Sequence, residues 1–379
     1  MSTTRVDDII TVMTSMQIIT TKDELQQFID DIRGSDWIGV DTEFLREKTY
    51  SPRLCLVQIS TAHHEVCIDP LTIDDLHPLE SILLASNTVK ILHSCRQDLE
   101  AFDTRFSGGM VNLFDTQIAA AFCGYGDQVS YAMLVESICG VVLPKLYTRA
   151  DWSLRPLPLP QLEYAVEDVR YLDKIRQHLE ELLISLGRKS WHEQECQKSL
   201  KPEEYRIYPK DAWKRLKGAG SLDSRYHQCA KSLAIWREER AQKSDRPREW
   251  VLSTAALLEI SIQSPRNEKQ LMMTDGMNAG VMRKSGQRIL EIVNENQPDP
   301  KADAIWSVLS IMTPEEKKKV KSIMKVLKSV SEDLNVAQSL LSNRQNVEKF
   351  VRGDVDLPLF QGWRLEVVGA DILDQYHDQ

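Results

Sequence analysis

Two acids one residue apart, Asp41 and Glu43, close the apolar run Trp37-Ile38-Gly39-Val40 and lead into Phe44-Leu45. The alternation of a strand sends both carboxylates out on one face. Like charges side by side repel and resist desolvation, so a fold keeps such a pair where a cation lies between them, and a divalent metal is the first candidate. The plain alternative is the solvated end of a strand. Further along, Asp98 follows an apolar run at 88–93, and Tyr164 and Asp168 stand four apart in a stretch of helix formers, one turn above each other on the same face.

These residues need elements to position them. The chain reads as a capped helix from Thr21, with Leu25, Phe28, Ile29 and Ile32 at helical spacing, broken at Gly34 before the acidic strand. Residues 54–59 and 65–69 read as two more strands, 76–84 as a helix, 88–93 as a fourth strand and 96–102 as the helix that bears Asp98. A helix opens at 114–121 with Asp115 as its N-cap, and another spans 130–141. Pro156, Pro158 and Pro160 predict a loop over 151–160 that is neither helix nor sheet. Residues 161–172 then form the helix of Tyr164 and Asp168. Strands in succession, then strands alternating with helices, point to an α/β class with a mixed sheet. Catalytic groups of such sheets gather at strand ends and the helices after them.

At 379 residues, two or three domains are expected, and 42% hydrophobic with 27% charged residues is the composition of a soluble globular protein. No apolar stretch approaches the roughly 20 residues of a membrane span, and the first residues lack a signal-peptide profile, so a cytoplasmic protein is expected. The seven cysteines are scattered and never spaced as a zinc or redox pair, which predicts reduced thiols. The net charge of -9 is unevenly spread: residues 1–195 carry -13, 196–298 carry +6 and 299–379 carry -2. An acidic front followed by a basic middle suits a metal-dependent nuclease with an attached module that holds nucleic acid.

Asp41-X-Glu43, Asp98 and Tyr164-X-X-X-Asp168 stand in the order, and at about the separations, of the three motifs of the DEDD exonucleases in their tyrosine-bearing subgroup. Val40-Asp41-Thr42-Glu43-Phe44 with Thr49-Tyr50 and Leu54, Asp151-Trp152 with Arg155-Pro156-Leu157, and Tyr164-Ala165 with Asp168-Val169 resemble the ribonuclease D family. The resemblance spans essentially the whole chain and is most specific between residues 36 and 175. It implies a ribonuclease-H-like mixed sheet, two divalent ions (Mg²⁺ or Mn²⁺), and removal of nucleotides one at a time from RNA 3′ ends, typically of tRNA precursors, by a monomer. It makes Asp41, Glu43, Asp98 and Asp168 the metal ligands and Tyr164 the residue that positions the attacking water. A phenol with a pKa of about 10 suits orienting better than proton abstraction. The residue chemistry agrees: phosphodiester hydrolysis needs a hydroxide, a stabilised pentacovalent phosphate and a neutralised leaving oxygen, which two metals about 4 Å apart supply, and carboxylates are hard ligands for such ions. Phe44 and Leu45 are candidates for the terminal base and Arg155 for a phosphate. His93 and Gln58 match residues common in the family and read as hydrogen-bonded structural groups.

Beyond 175 the pattern is almost wholly helical. The runs around Leu233–Ala241, Arg246–Leu252 and Leu257–Ile260 resemble the helicase-and-RNase-D C-terminal (HRDC) domain, with Trp236 and Trp250 read as core because each lies on an apolar stripe. Lys214, Arg215, Lys217, Arg237, Arg246, Arg248, Arg283, Lys284 and Arg288 give this module its positive balance. Residues 301–379, including helices around Trp306 and 320–330, resemble a second HRDC-like domain. The expected division is an exonuclease domain at 1–195, a first HRDC domain with its basic connector at 196–298 and a second at 299–379. The same chemistry on DNA, and a nucleic-acid-binding protein with an inactive nuclease domain, are the rival readings.

Overall fold

The apolar runs pair into one six-stranded sheet in the computed structural model of the chain, which describes residues 17–144, 147, 150–301 and 312–376. The strands are β1 (Gln17–Ile19), β2 (Trp37–Leu45), β3 (Arg53–Ser60), β4 (Glu65–Ile68), β5 (Val89–Leu92) and β6 (Leu113–Asp115), in the spatial order β1-β4-β3-β2-β5-β6. The β2–β3 and β3–β4 pairs are antiparallel, and β1–β4, β2–β5 and β5–β6 are parallel. The sheet is therefore mixed, as expected. β1 and β6, three residues each, are too short to show an alternation, and the sequence pattern does not reveal them.

Helices cover both faces. On one side α1 (Lys22–Asp31), α2 (His77–Leu83) and α3 (Arg96–Asp103) bury Leu25, Phe28, Leu79 and Phe102 against Val40, Val57 and Ile59. The Thr21 hydroxyl accepts from Glu24 N–H and the Glu24 carboxylate accepts from Thr21 N–H, closing the capping box that starts α1. The other side is covered by α4 (Thr116–Phe122), α5 (Tyr131–Leu134), α6 (Leu159–Arg170) and α7 (Leu172–Ser185). The helix expected over 130–141 is α5 continued by one wider turn at Val135–Cys139, ended by Gly140 at φ 72°. The proline-rich stretch is a loop only as far as Pro158. Pro160 lies in the first turn of α6, where a missing N–H leaves no bond unmade. Tyr171 separates α6 from α7, a break that no Gly or Pro announces.

The C-terminal half is helical: α8 (Lys189–Ser199), α9 (Pro202–Tyr205), α10 (His227–Ser244), α11 (Arg248–Val251), α12 (Thr254–Gln263), α13 (Glu268–Met273), α14 (Ala279–Glu295), α15 (Pro314–Asp333), α16 (Gln338–Leu341), α17 (Arg344–Val351), α18 (Gly362–Arg364) and α19 (Ala370–Tyr376). The helix expected around Trp306 lies outside the described residues. α10, α12, α13 and α14 bury Leu233, Leu257, Ile260, Leu271 and Ile289 in a core of their own. Trp250 departs from its expected place in the core: it is 53% exposed, because α11 is a single turn that cannot turn both of its faces inward. The last helices do not. Trp363, 2% exposed, stacks on Trp191 with centroids 4.9 Å apart and meets Phe122 edge-on at 5.2 Å. Arg364 forks onto the Glu195 carboxylate at 2.5 and 2.7 Å, and Arg188 donates to the carbonyls of Phe122 and Leu334. α15–α19 and the sheet domain thus share one core. The division expected at 195 falls inside α8, whose Cys196 packs with Tyr205 into the core beneath the sheet.

Because Trp363 joins two modules, Trp363→Ala is expected to destabilise by about 3–5 kcal/mol, the cost of emptying a buried aromatic site. Urea unfolding followed by tryptophan-independent circular dichroism measures it. An unchanged midpoint would mean that the C-terminal helices contribute nothing to the sheet domain.

Candidate active site

β2 outruns β5: their pairing ends at Gly39, which leaves the far part of β2 open on that edge for side chains from outside the sheet. Asp41 and Glu43 project there, opposite Gln58 and Leu56 of β3. α6 lies close over this face. Ser60 Oγ donates to the Val169 carbonyl at 2.8 Å, and a Cβ on Gly39 would collide with the Ser60 hydroxyl and come within 3.3 Å of the Val169 carbonyl. Glycine at 39 is what lets the helix approach. The result is that carboxylate oxygens of Asp41, Glu43 and Asp168 lie within 4.8 Å of one another.

Asp98 arrives from the opposite side of the sheet, on the first turn of α3. Thr42 Oγ1 donates to it at 2.5 Å, across the strand from its two acidic neighbours. The sharp entry into α3 passes through Ser94 at φ 63°, and the Ser94 and Cys95 amides donate to Asp115 at 3.2 and 2.8 Å. Asp115 also caps α4 through the amides of Gln117 and Ile118, as expected. One buried carboxylate thereby fixes both helices behind the site.

The electrostatics of the cluster are those of acids without a counter-charge. Burial, followed by the charges of Asp98, Asp168 and Glu43, holds Asp41 well above the ordinary carboxylate range. Glu43 is pushed up to about 8 by burial and by Asp168 and Asp98. Burial lifts Asp98 to about 7 against the opposing bond from Thr42, and Asp168 to about 7 against a bond from the Tyr164 hydroxyl. Among the described residues no Lys, Arg or His forms an ion pair with any of the four. Three oxygen donors converging on one space, with the charge of Asp98 acting on two of them and the repulsion uncompensated, fit a hard divalent cation.

Tyr164 is held flat between neighbours: Trp152 stacks on it at 6.3 Å with 30° between the planes, and Tyr147 meets its edge at 6.0 Å. Beside it a cavity of about 300 Å³ is lined by Tyr131, Leu143, Pro144, Tyr164, Glu167 and Asp168. Tyr131 was not legible from sequence. Its hydroxyl donates to the Glu167 carbonyl at 3.0 Å and accepts from Tyr171 N–H at 3.1 Å, so it secures the break after α6 and the turn that carries Asp168.

Arg155 is not available to a phosphate. It chelates Asp69 at 2.5 and 2.7 Å and donates to the carbonyls of Cys55, Trp152 and Leu154. A guanidinium whose donors are all engaged by the protein acts as a strut, and here it fastens the loop of Trp152 to the sheet. Asp69 was the overlooked partner, since nothing in sequence links positions so far apart. Phe44 and Leu45 are half-buried and turn to opposite cores across the irregularity between Glu43 and Phe44. His93 is hydrogen-bonded to Thr116 and to the Val129 carbonyl, as expected. Gln58 is not: both its amide atoms are buried without a hydrogen-bond partner, facing the side of the sheet that carries Asp41.

The loop that leaves β2 is gripped from the HRDC-like bundle. Tyr50 Oη donates to the buried Glu238 at 2.5 Å and accepts from Gln242, Arg248 lies over its ring, and Asp245 accepts from the Tyr50 and Ser51 amides at 3.1 and 3.0 Å. Asp245 holds this pose at φ 45°, at the end of α10.

Residues 16–184 match the family model described as 3′-5′ exonuclease, and residues 227–293 match the HRDC domain. Ribonuclease D of Acidiphilium cryptum is 34% identical over 94% of this chain and 92% of its own length, and that of Escherichia coli is 32% identical over 95% and 99%. The crystal structure of Escherichia coli RNase D, described as an exoribonuclease involved in structured RNA processing, superposes with a TM-score of 0.87 at 31% identity, covering 95% of this chain and 99% of that one. The catalytic core of RRP6 from Trypanosoma brucei matches at TM-score 0.59 and 26% identity over 75% of this chain and 80% of that one.

Carboxyls whose folded pKa lies above the unfolded value stabilise fully below the unfolded value, and that contribution is lost as pH rises through the folded one. With folded values of about 7 to 8 at Asp98, Asp168 and Glu43, the metal-free protein is expected to lose melting temperature between about pH 5 and pH 8.5. Divalent metal should restore it, more at the upper pH, and Asp41→Asn should melt higher than the parent without metal and gain little with it. Differential scanning fluorimetry in EDTA, Mg²⁺ and Mn²⁺ tests this, and a metal increment surviving in Asp41→Asn would remove Asp41 from the site. Arg155→Met is expected to cost about 3 kcal/mol, the lower end for a buried pair because Arg155 keeps some exposure, with RNA affinity unchanged. A drop in affinity at unaltered stability would return Arg155 to the substrate.

Proposed function

We infer, from the premise that the chain belongs to the ribonuclease D family of 3′-to-5′ exoribonucleases, that Asp41, Glu43, Asp98, Tyr164 and Asp168 carry its reaction and that tRNA precursors are among its substrates. The observation that carries this reading is the convergence of the Asp41, Glu43 and Asp168 oxygens within 4.8 Å with no counter-cation among the described residues.

The exonuclease fold is metal-dependent, and in this reading the four carboxylates hold two divalent ions, Mg²⁺ or Mn²⁺, which when bound supply Lewis acidity and neutralise charge on the phosphodiester. The protein's own groups do the rest. Thr42 and Asp115 keep Asp98 turned toward β2, so that its charge bears on Asp41. Tyr164, braced by Trp152 and Tyr147 and bonded to Asp168, presents its hydroxyl to the attacking water and orients it. A phenol in this place holds the water without taking its proton. The cavity beside Tyr164 and Tyr131 receives the terminal nucleotide, and Leu45, which packs in the same cluster as Tyr164, borders the base, while Phe44 is turned to the opposite core. RNA rather than DNA, the cytoplasm as its place of action and a monomeric state complete the proposal. Among the described residues no helix is long and apolar enough to cross a membrane.

With 5′-labelled RNA, a matched DNA and a tRNA precursor, time-resolved gels are expected to show a one-nucleotide ladder on RNA and precursor that EDTA abolishes and that is much weaker on DNA. Asp41→Asn and Asp168→Asn should abolish turnover while retaining RNA binding. Tyr164→Phe should keep the metal-induced rise in melting temperature and slow cleavage by at least about tenfold, the loss expected when a group that orients the attacking water is removed. Near-normal cleavage by either acid variant would overturn the site, and a ladder mainly on DNA would overturn the substrate.

A further inference from the structure

A buried amide beside the acids has no part in the reaction described above, and we propose that it belongs to the positioning residue of Asp41: the Gln58 carboxamide donates to the Asp41 carboxylate and holds one of its oxygens toward the metal. The proposal rests on the metal-dependent reading of the site, since an orienting bond on Asp41 serves the reaction only where Asp41 is a ligand.

Strand register fixes the placement. Asp41 on β2 is the direct partner of Gln58 on β3, and Gln58 is in turn the partner of Cys67 on β4. Directly opposed residues of antiparallel strands share a face and bring their Cβ atoms to about 4.5–5.5 Å, within the span of a glutamine side chain. That face is the one beneath α6. Leu56 and Cys67 pack there with Leu162, Ala165 and Val166, and Ser60 bonds the Val169 carbonyl. Gln58 is therefore roofed by the helix that carries Asp168 and, at 0% exposed, does not reach a substrate. Whatever it does, it does through a neighbour.

A buried amide with neither its oxygen nor its nitrogen bonded is costly, because both atoms have given up water without return, and a fold that retains one has a use for it. The neighbours on its face are apolar apart from the weakly polar Cys67 thiol, the Ser60 hydroxyl, which is engaged by Val169, and the Asp41 carboxylate. Among the described residues no side chain donates to Asp41, whereas Asp98 takes the Thr42 hydroxyl and Asp168 the Tyr164 hydroxyl. Carboxylates that hold a metal are themselves held by hydrogen bonds from the protein around them. Glu43 also lacks such a donor, but it stands opposite Leu56, which has nothing to give. The donor without an acceptor and the ligand without a donor are thus the two halves of one cross-strand pair. An amide suits the position chemically. It donates to a carboxylate at any pH, brings no positive charge to repel a metal and adds no negative charge to the repulsion already there.

The test compares, in the full chain, Gln58→Met, which keeps the bulk and loses the amide, with Gln58→Asn, which keeps the amide and loses a methylene. Mn²⁺ binding is read by electron paramagnetic resonance, melting temperature in EDTA by scanning fluorimetry and RNA affinity in EDTA by anisotropy. Packing and hydrogen bonding rank the two variants oppositely. Gln58→Met is expected to melt at or above the parent in EDTA, because an unbonded amide gives way to an apolar group of similar shape. It should nevertheless raise the Mn²⁺ Kd by about tenfold to a hundredfold, the loss that follows when a ligand is no longer oriented. Gln58→Asn is expected to melt lower than Gln58→Met and to bind Mn²⁺ more tightly. RNA affinity in EDTA should stay that of the parent in both, and cleavage by Gln58→Met should recover as Mn²⁺ is raised, which marks lost metal affinity rather than lost chemistry. Mn²⁺ affinity that follows melting temperature, with Gln58→Asn the weaker binder, would make the effect one of packing and overturn the proposal. So would a Mn²⁺ Kd in Gln58→Met equal to the parent's. A parent that binds no Mn²⁺ would overturn the metal site itself and the part of Gln58 with it.

Discussion

Repulsion among four carboxylates is the constraint around which this molecule is built. Each of Asp41, Glu43, Asp98 and Asp168 sits in surroundings that disfavour its charge, and none has a basic partner among the described residues. Left to themselves such groups would move apart. They are kept together because they belong to elements anchored elsewhere: β2 in the middle of the sheet, α3 tied at its entry to Asp115, and α6 drawn close by the Ser60–Val169 bond over Gly39. Stability is given up locally so that a cation meets a site already formed, which is how strained or destabilised groups persist at functional positions.

The same logic explains why the basic residues nearest the site are employed structurally. Arg155 completes a buried pair with Asp69 and holds the loop whose Trp152 braces Tyr164. Arg46 pairs with Glu100 on α3 and donates to the Tyr50 carbonyl, linking the helix of Asp98 to the loop after β2. Cations that reached the carboxylates would compete with the metal. These are instead paired with other acids and contribute rigidity rather than charge to the site.

The helical modules are joined to the sheet domain in two different ways. α15–α19 merge with it through Trp363, Arg364 and Arg188, in a continuous apolar core. The HRDC-like bundle keeps its own core and touches the β2 loop through polar groups, with Glu238, Gln242 and Asp245 closing on Tyr50 and Ser51. A merged core makes one body, whereas a polar clamp sets direction with little buried apolar area.

Much of this was open to the sequence. Long periodic segments announced β2, β3, α1 and α3, and the acids announced themselves because a pair of like charges after an apolar strand is costly without a purpose. The N-cap of Asp115 followed from local geometry alone. What escaped were features that depend on residues far apart in the chain. The pairing of Arg155 with Asp69, the anchoring of Tyr131 at the turn after α6, the exposure of Trp250 and the sharing of a core by Trp363 and Trp191 all arise where separate elements meet. Periodicity reports which face of an element is apolar, but it is silent on which other element covers that face. The sequence by itself determined which residues could bind a metal and orient a water; only the tertiary structure decided which cations are engaged by the protein's own acids, as Arg155 is by Asp69, because an ion pair exists only once the fold has brought its two halves together.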